Sequence, residues 1–378
     1  MRAGHIPSRD ATVVARLAAA GAITIGKTNT HEFAAGGFSP PSRNAWDATR
    51  TTGGSSGGSG AAVALGMCAA ALGTDTGGSI RIPASFNGIV GLKPTFGRVP
   101  KNGITMLSWS LDHCGPMTRT VEDAALLLGI LAGRDRADPS SAREAVPDCV
   151  AALGRGVEGL RIGLPPDFFR VEIQPAVLAA IDAAAVHLAA QGATLVPTGP
   201  IAGLDDALTA ELAIFLAEAA AYHARDVRIA GDLYEPATRL WLELGSLVLG
   251  THYLNAQRAR TALKEGMRTA FEAERLDALL VPSVPMTATP YDARTVDYPD
   301  APRTDETASM IRYCGPFNLT GQPFLTVPCG FDGDGLPIGL GIVGRPFQEE
   351  TVLRIGHAYE QTAGWAGSRP PTTATTSA

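Results

Sequence analysis

Two glycine-rich segments, Gly53–Gly60 and Gly73–Arg81, carry the residues best suited to chemistry. Consecutive glycines let neighbouring main-chain N–H groups point into one concavity, which can stabilise the oxyanion that forms when a serine attacks a carbonyl carbon. In the second segment the attacking hydroxyl would be that of Ser79. The predicted oxyanion and substrate-binding donors are the amides of Thr76, Gly77, Gly78 and Ser79. Flexible linkage is the alternative interpretation, but linkers are not bracketed by apolar segments as these turns are.

Charged residues flank the second turn on both sides. Asp75 precedes the paired glycines and Arg81 follows Ser79. One interpretation is that both side chains hold the turn by hydrogen bonds. Plain surface charges are the other, and the sequence leaves the two open.

Two generic nucleotide-binding patterns also occur, and both fail on context. Gly21–Thr28 fits the phosphate-loop pattern, but that loop must follow a strand, whereas a predicted helix precedes this one. Gly339–Gly344 fits the dinucleotide fingerprint, yet only 34 residues remain after it (378 − 344), too few to complete that fold. A sheet strand with packing glycines is the better prediction for Gly339–Gly344.

A third pattern, G-x-S-x-G, is satisfied twice within Gly53–Gly58 and would indicate the nucleophile elbow of an α/β-hydrolase. The elbow needs a strand directly before it, and residues 44–52 are polar and turn-like. Such an enzyme also needs a downstream histidine, and most of the available ones sit in apparent helix stripes. The prediction is therefore packed or surface histidines at His187, His223, His252 and His357.

The composition bounds the class of protein. Of 378 residues, 45% are hydrophobic and 18% are charged, which is typical of a globular chain with a large core. The formal net charge of −6 and the absence of a long Lys/Arg run argue against direct nucleic-acid binding. No apolar run reaches the roughly 18 residues of a membrane span. Five scattered cysteines, in no CxxC pair, favour a reducing cytoplasm over a disulfide framework or a zinc site.

Alternating helical and strand-like segments must position these turns. Helices are predicted at 8–21, with Ser8 as the cap, at 120–131, at 175–191, through most of 205–275 and at 350–362. Strands are predicted at 22–25, 69–72, 160–164, 279–282, 324–327 and 336–343. This alternation predicts an α/β fold.

Taken together, the two glycine segments resemble the signature of the amidase signature family. The similarity continues through Gly26-Lys27-Thr28-Asn29, Gly91-Leu92-Lys93-Pro94-Thr95 and Phe317-Asn318-Leu319-Thr320-Gly321. It is weak over 140–275, a region expected to vary with substrate. The resemblance implies one large domain, 1–370, with a mixed central β-sheet covered by helices on both faces. Within it, 140–275 would be a helix-rich substrate-side region, and 371–378 would form a disordered tail.

The resemblance also assigns roles in a Ser–cis-Ser–Lys arrangement. It implies that Ser79 is the nucleophile and that Ser55 relays its proton and later protonates the leaving amine. Their separation, 79 − 55 = 24, agrees with the family pattern. It further implies a cis peptide bond before Ser55. The predicted supporting residues are Ser56, Asp75 and Arg81.

The family's base is a lysine farther upstream of the Ser-Ser pair than the 54 residues that precede Ser55, and no lysine precedes Lys27. By resemblance, the chain begins within the fold, as an N-terminally truncated amidase or as a degenerate homologue that binds without turnover. Lys27 would be a substitute base only if its strand end reached Ser55. The chain as given is expected to hydrolyse amides negligibly and to fold poorly.

The function implied is an amidase that converts a carboxylic amide to a carboxylate and ammonia or an amine through an acyl-enzyme on Ser79. The alternatives are the glutaminase A subunit of a tRNA-dependent amidotransferase and a non-catalytic homologue. No metal or organic cofactor is expected. The expected ligand is a small-molecule amide, with no membrane contact, and the resemblance leaves a homodimer open. An apolar wall at Leu240, Trp241, Leu242 and Leu249 is one interpretation, and core packing explains these residues equally well.

Overall fold

The central feature of the fold is an eight-stranded sheet. The structure is a computed structural model that describes residues 4–165, 167–365 and 367–371. The strands are β1 (Ala70–Asp75), β2 (Val90–Lys93), β3 (His113–Thr118), β4 (Arg161–Leu164), β5 (Thr194–Pro197), β6 (Ala278–Pro282), β7 (Thr295–Tyr298), β8 (Ala301–Asp305), β9 (Phe324–Phe331) and β10 (Pro337–Gly344). The α-helices are α1 (Thr12–Ala19), α2 (Gly57–Ala64), α3 (Arg81–Asn87), α4 (Val121–Leu131), α5 (Cys149–Ala152), α6 (Pro175–Ala190), α7 (Ala207–Ala230), α8 (Pro236–Ser246), α9 (Gly250–Ala273), α10 (Glu306–Thr320) and α11 (Glu349–Thr362).

The strand order is β1-β3-β2-β9-β10-β6-β4-β5, and β7 pairs with β8 in a separate ribbon. The sheet is mixed, because β4 runs parallel to both β5 and β6 while the other pairs are antiparallel. The central strands β6 and β10 are buried along their whole length, which explains why their sequences are apolar runs rather than alternating ones.

Helices cover both faces of this sheet. Helix α3 lies so close to β10 that a Cβ atom on Gly339 would meet the Ser85 side chain at 2.5 Å. Helix α11 approaches from the other side, where a Cβ on Gly356 would lie 2.4 Å from Leu325. Leu325 pairs with Ile342, three positions from Gly339, and so points to the opposite face. The predicted fold class is therefore confirmed.

Most predicted elements are confirmed where local signals were strong. Thr120 caps α4 by accepting from the Asp123 amide at 3.1 Å, and α6 through α9 supply the helices expected between 175 and 275. Gly339–Gly344 lies in β10 rather than in a nucleotide-binding turn. A Cβ on Gly341 would lie 2.3 Å from Phe324, so close packing explains this glycine.

The N-terminal region differs from the prediction. Helix α1 begins at Thr12 instead of residue 8, with Ala11 rather than Ser8 at its N-cap. The strand predicted at 22–25 is wrong: no ladder forms there, and Ile23 and Ile25 are 87% and 73% exposed. An extended segment becomes a strand only with a pairing partner, and no described strand lies beside it. Of the predicted tail, residues 372–378 lie outside the described part of the chain.

Candidate active site

The two glycine-rich segments meet through Ser56. Its amide donates to the Ser79 carbonyl at 3.3 Å, and its hydroxyl donates to the Thr74 carbonyl at 3.2 Å and accepts from the Thr74 amide at 3.1 Å. The peptide bond between Gly54 and Ser55 is cis, as the resemblance implies. Ser56 therefore fastens the start of α2 to the end of β1 and to the turn that carries Ser79.

A fully buried ion pair holds that turn in shape. Arg81 donates from Nε to Asp75 Oδ2 at 3.0 Å and from Nη2 to Oδ1 at 2.8 Å, and neither side chain is exposed. Asp75 also accepts the amides of Gly78, at 2.9 Å, and Ile80, at 3.0 Å. The surface-charge interpretation of Asp75 and Arg81 is therefore wrong. The residues predicted to support the turn do so by charge-assisted hydrogen bonds.

Asn318, on α10, completes this network and was missed by sequence reasoning. Its Nδ2 donates to Asp75 Oδ1 at 2.8 Å and to the Asp75 carbonyl at 3.1 Å, and its Oδ1 accepts from Arg81. Burial alone would raise the pKa of the Asp75 carboxyl, but Arg81, Lys93 and the Asn318 hydrogen bond together hold that pKa well below its usual value. Asp75 is therefore an anion at the base of the turn.

The amides of the turn divide into two groups. The Gly78 amide donates to Asp75, so it is already occupied, in contrast to the prediction that it faces the concavity. The amides of Thr76, Gly77 and Ser79 donate to no residue in the described part of the chain. Thr76 uses its side chain to donate to Asp112 Oδ1 at 2.6 Å, which ties the turn to the loop that leads into β3.

The Ser55 hydroxyl is buried, and its Oγ has no hydrogen-bond partner among the described residues. It is therefore not bonded to Ser79, whose side chain is 9% exposed. Catalytic hydrogen bonds are often long or misaligned before substrate binds and form only in the complex. Lys27 is exposed and does not bond to Ser55, while the buried Lys93 donates to main-chain carbonyls. The structure thus does not bring Lys27 to Ser55.

Ser79 lines a mostly apolar cavity. Its walls come from the loop before α2, the second turn, α3, α7, α8 and α10. The lining side chains include Ala35, Ile82, Leu107, Leu212, Phe215, Trp241 and Ile311. Three of these residues belong to 140–275, so that region does border the site. Of the proposed apolar wall, Trp241 lines the cavity and Leu242 is buried, whereas Leu240 and Leu249 are exposed.

One acidic side chain, Glu211 on α7, lies in this cavity and was also missed by sequence reasoning. It is 2% exposed, and neither carboxyl oxygen has a hydrogen-bond partner among the described residues. Burial raises the pKa of this carboxyl well above its usual value. A Cβ atom placed on Gly77 would lie 3.2 Å from Glu211 Oε1, so the carboxyl sits beside the turn. No sequence pattern could reveal this, because Glu211 is one acid in a long amphipathic helix.

The four histidines considered for a triad do not line the cavity. His223 is buried beside Tyr234, and His187, His252 and His357 lie at or near the surface, as expected of packed or surface histidines. In the described part of the chain, no group of three or more His, Cys, Asp or Glu side chains could hold a metal ion.

Known proteins match both this fold and this sequence. The Amidase family model matches residues 1–353. An amidase from Pseudomonas putida is 45% identical over 364 residues, which cover 96% of this chain and 77% of that protein. The A subunit of a glutamyl-tRNA(Gln) amidotransferase from Thermosynechococcus vestitus is 41% identical over 97% of this chain and 80% of its own length. The crystal structure of an amidase, 37% identical, superposes with a TM-score of 0.84 over 94% of this chain and 78% of that one.

The fold, a mixed sheet with helices on both faces, is shared with a solved amidase. The chain belongs to the amidase family, whose members act on the carbon–nitrogen bonds of amides. None of the helices in the described ranges is both long and apolar enough to cross a membrane.

Proposed function

We propose that the site hydrolyses carboxylic amides through an acyl-enzyme on Ser79. The observation that supports this proposal is that Ser79 lines a mostly apolar cavity, on a turn where the amides of Thr76, Gly77 and Ser79 are unoccupied. The hydroxyl oxygen attacks the amide carbon, and the negative charge that develops on the carbonyl oxygen is received by the amides of Gly77 and Ser79. Water then cleaves the acyl-enzyme and releases the carboxylate.

Ser55 is the proposed proton relay. Its hydroxyl accepts the proton that Ser79 loses while it passes its own proton to a base. The same transfers in reverse deliver a proton to the amine nitrogen as the carbon–nitrogen bond breaks, because an amide anion is too basic to leave unprotonated. Burial keeps water from competing for this exchange. The base that holds the proton between these two transfers is not bonded to the Ser55 hydroxyl among the described residues.

The test separates the nucleophile from the relay. A p-nitrophenyl ester needs no proton on its leaving group, so it should acylate Ser79 whether or not the relay is complete. We expect one equivalent of nitrophenolate per chain in a burst, with the acyl group located on Ser79 by mass spectrometry. Ser79→Ala should abolish the burst, whereas Ser85→Ala should preserve it. Ser85 is the matched control because it is another buried serine without a hydroxyl partner, on α3.

The amide reaction then tests the relay. Ser55→Ala should keep much of the ester burst but lower amide hydrolysis by about 100-fold or more. A small primary amine, added as an external base, should stimulate amide turnover of the unmodified chain if proton acceptance limits the rate. Acylation at residues other than Ser79, or equal bursts from Ser79→Ala and Ser85→Ala, would rule the mechanism out.

A second candidate function is that of an amidotransferase A subunit, favoured by the 41% identity to one such protein. In that case glutamine would be the preferred amide, and partner subunits would raise its hydrolysis. Comparing glutamine with simple aliphatic amides under the same conditions decides between the two. A non-catalytic homologue would show no acylation of Ser79 with any ester.

We further infer a cytoplasmic enzyme with one catalytic domain over 1–370. Support for the location comes from five cysteines that are all free thiols. Support for one domain comes from a main sheet whose strands span residues 70–344. The net charge of −6 favours a small-molecule amide over nucleic acid as the ligand. Homodimer formation stays a prediction, to be checked by light scattering.

A further inference from the structure

Glu211 is a polar group without a function in the mechanism above. Its carboxyl is 2% exposed, both oxygens lack partners among the described residues, and it lines the same cavity as Ser79. Leaving a buried acceptor unsatisfied is destabilising, and more so for a charged group, so such a group calls for a partner. The cavity is where that partner can enter.

The nearby cations do not supply this partner. Arg81 directs its donors to Asp75, Asn318 and the Cys314 carbonyl. Arg260 directs its donors to the Leu319 carbonyl and to Ser110. Lys93 donates to the Pro94 and Gln322 carbonyls. All three cations act on Glu211 through space only. A ligand that enters the cavity can therefore supply a donor for Glu211.

The rest of the cavity indicates which donor. Apart from Thr76 and Thr307, its lining side chains other than Ser79 and Glu211 are apolar or absent. Two aromatic rings belong to it, Phe215 and Trp241, with centroids 5.9 Å apart. A carboxyl group beside aromatic rings suits an organic cation, which pairs with the carboxylate and is also attracted by the ring faces.

We propose that Glu211 selects amides whose acyl chain carries an amino group. This inference rests on the proposed function, since it places the acyl chain in the cavity beside Ser79. The Glu211 carboxyl lies next to Gly77, so the amino group would bind on the wall of the oxyanion turn rather than at the cavity mouth. When the cavity is empty, burial favours the neutral carboxyl, and an arriving ammonium shifts it to the carboxylate.

Binding can be measured without turnover in a Ser79→Ala background. The probes are propanamide, butanamide and pentanamide, each compared with its ω-amino and ω-hydroxy derivatives by titration calorimetry. For at least one chain length, the amino derivative should bind roughly 10- to 100-fold more tightly than the parent amide, the range expected for a hydrogen bond to a charged group. The hydroxy derivative should gain much less.

Two variants and one control assign the effect to Glu211. Glu211→Gln keeps the size and a hydrogen-bonding amide but cannot become anionic. Glu211→Leu removes the hydrogen-bonding atoms as well as the charge. Either should reduce the amino preference to below about threefold, and Glu211→Leu should also raise thermal stability by removing a buried unsatisfied group. Glu360→Gln is the matched control: Glu360 is another buried acid, on α11, where it accepts from the Val121 amide. It should leave the preference unchanged.

The outcomes distinguish this inference from the function beneath it. If esters acylate Ser79 but the amino derivatives show no advantage at any chain length, the role of Glu211 is wrong and the hydrolase stands. Equal affinity for hydroxy and amino derivatives also overturns the amino-acyl assignment. A failure of every ester to acylate Ser79 removes the proposed function itself.

Discussion

Replacing Asp75 with asparagine should show how much the buried ion pair with Arg81 contributes to the stability of the folded protein. Every partner of the two carboxylate oxygens is an N–H group. Oδ1 accepts from Gly78, Arg81 and Asn318, and Oδ2 accepts from Ile80 and Arg81. In Asp75→Asn, either orientation of the amide places its NH2 group against N–H donors. The change also leaves the Arg81 charge buried without a counter-ion, and breaking a buried pair in this way costs about 3–5 kcal/mol.

The expected effect on thermal unfolding follows from chain size. An unfolding entropy of roughly 2.1 cal/mol/K per residue amounts to roughly 0.8 kcal/mol/K for 378 residues. A loss of about 3–5 kcal/mol therefore lowers the Tm by about 4–6 °C. Differential scanning calorimetry at neutral pH measures this directly. The matched control is Asp297→Asn, which breaks a pair of similar bidentate geometry, with Arg303 at 2.8 and 2.9 Å.

Asp297 and Arg303 are each 67% exposed, so their separation should shift the Tm by less than about 1 °C. Acid adds a second check. Because the pKa of Asp75 is held low in the folded protein, its contribution to the free energy of unfolding is complete above about pH 4 and declines as the pH falls below that. The difference in Tm between wild type and Asp75→Asn should therefore become smaller below about pH 4. Equal Tm shifts for the Asp75 and Asp297 variants would refute burial as the source of the effect.

Three further predictions test individual positions. Ser55→Ala should leave the Tm unchanged or raise it by about 1 °C while amide hydrolysis falls, because the lost hydroxyl has no partner among the described residues. Gly78→Ala should be unfolded or strongly destabilised in circular dichroism melts, since φ is +129° and a Cβ would lie 2.7 Å from Ile82 Cδ1. The control Gly129→Ala, in open space within α4, should instead increase the free energy of unfolding by about 0.5–1 kcal/mol. Burial raises the pKa of Glu306 to about 7 from its ordinary value of 4.5, so the free energy of unfolding should fall as the pH rises between these two values. In urea titrations, Glu306→Gln should show a flatter dependence of this free energy on pH.

The sequence predicts those parts of the fold that local patterns determine. Helix α4 has a capping residue and an apolar stripe, and β10 is an apolar run with packing glycines, so both could be recognised without tertiary information. The segment 22–25 has the same strand-like composition, but whether it pairs depends on what lies beside it in space. Ser79 and Ser55 were identifiable only through their glycine context and the family resemblance.

The features that escaped sequence reasoning are contacts between distant elements. Asn318 donates to Asp75 across 243 positions of the chain. Both residues lie in segments that carry the family resemblance, but no local pattern pairs them. Glu211 enters the cavity only because α7 packs against α10 and places that face toward Gly77. Its neighbour along the helix face, Glu218, has an ordinary structural use, since it binds Ser108 and Ser110. The two acids are indistinguishable in sequence and differ only in whether partners surround them.

The glycines of the second turn explain its flexibility, but they do not by themselves explain an oxyanion site. A glycine-rich turn offers several amides, and each of them would bind any acceptor within reach. In this protein the Asp75 carboxylate takes the amides of Gly78 and Ile80, which fixes the turn and leaves those of Gly77 and Ser79 pointing elsewhere. The same anion cannot migrate toward the cavity, because Arg81 and Asn318 hold it from the other side. In the proposed mechanism, this buried ion pair therefore determines which main-chain donors the substrate meets, although it does not contact the substrate. Its disruption should reduce acylation of Ser79 as well as stability.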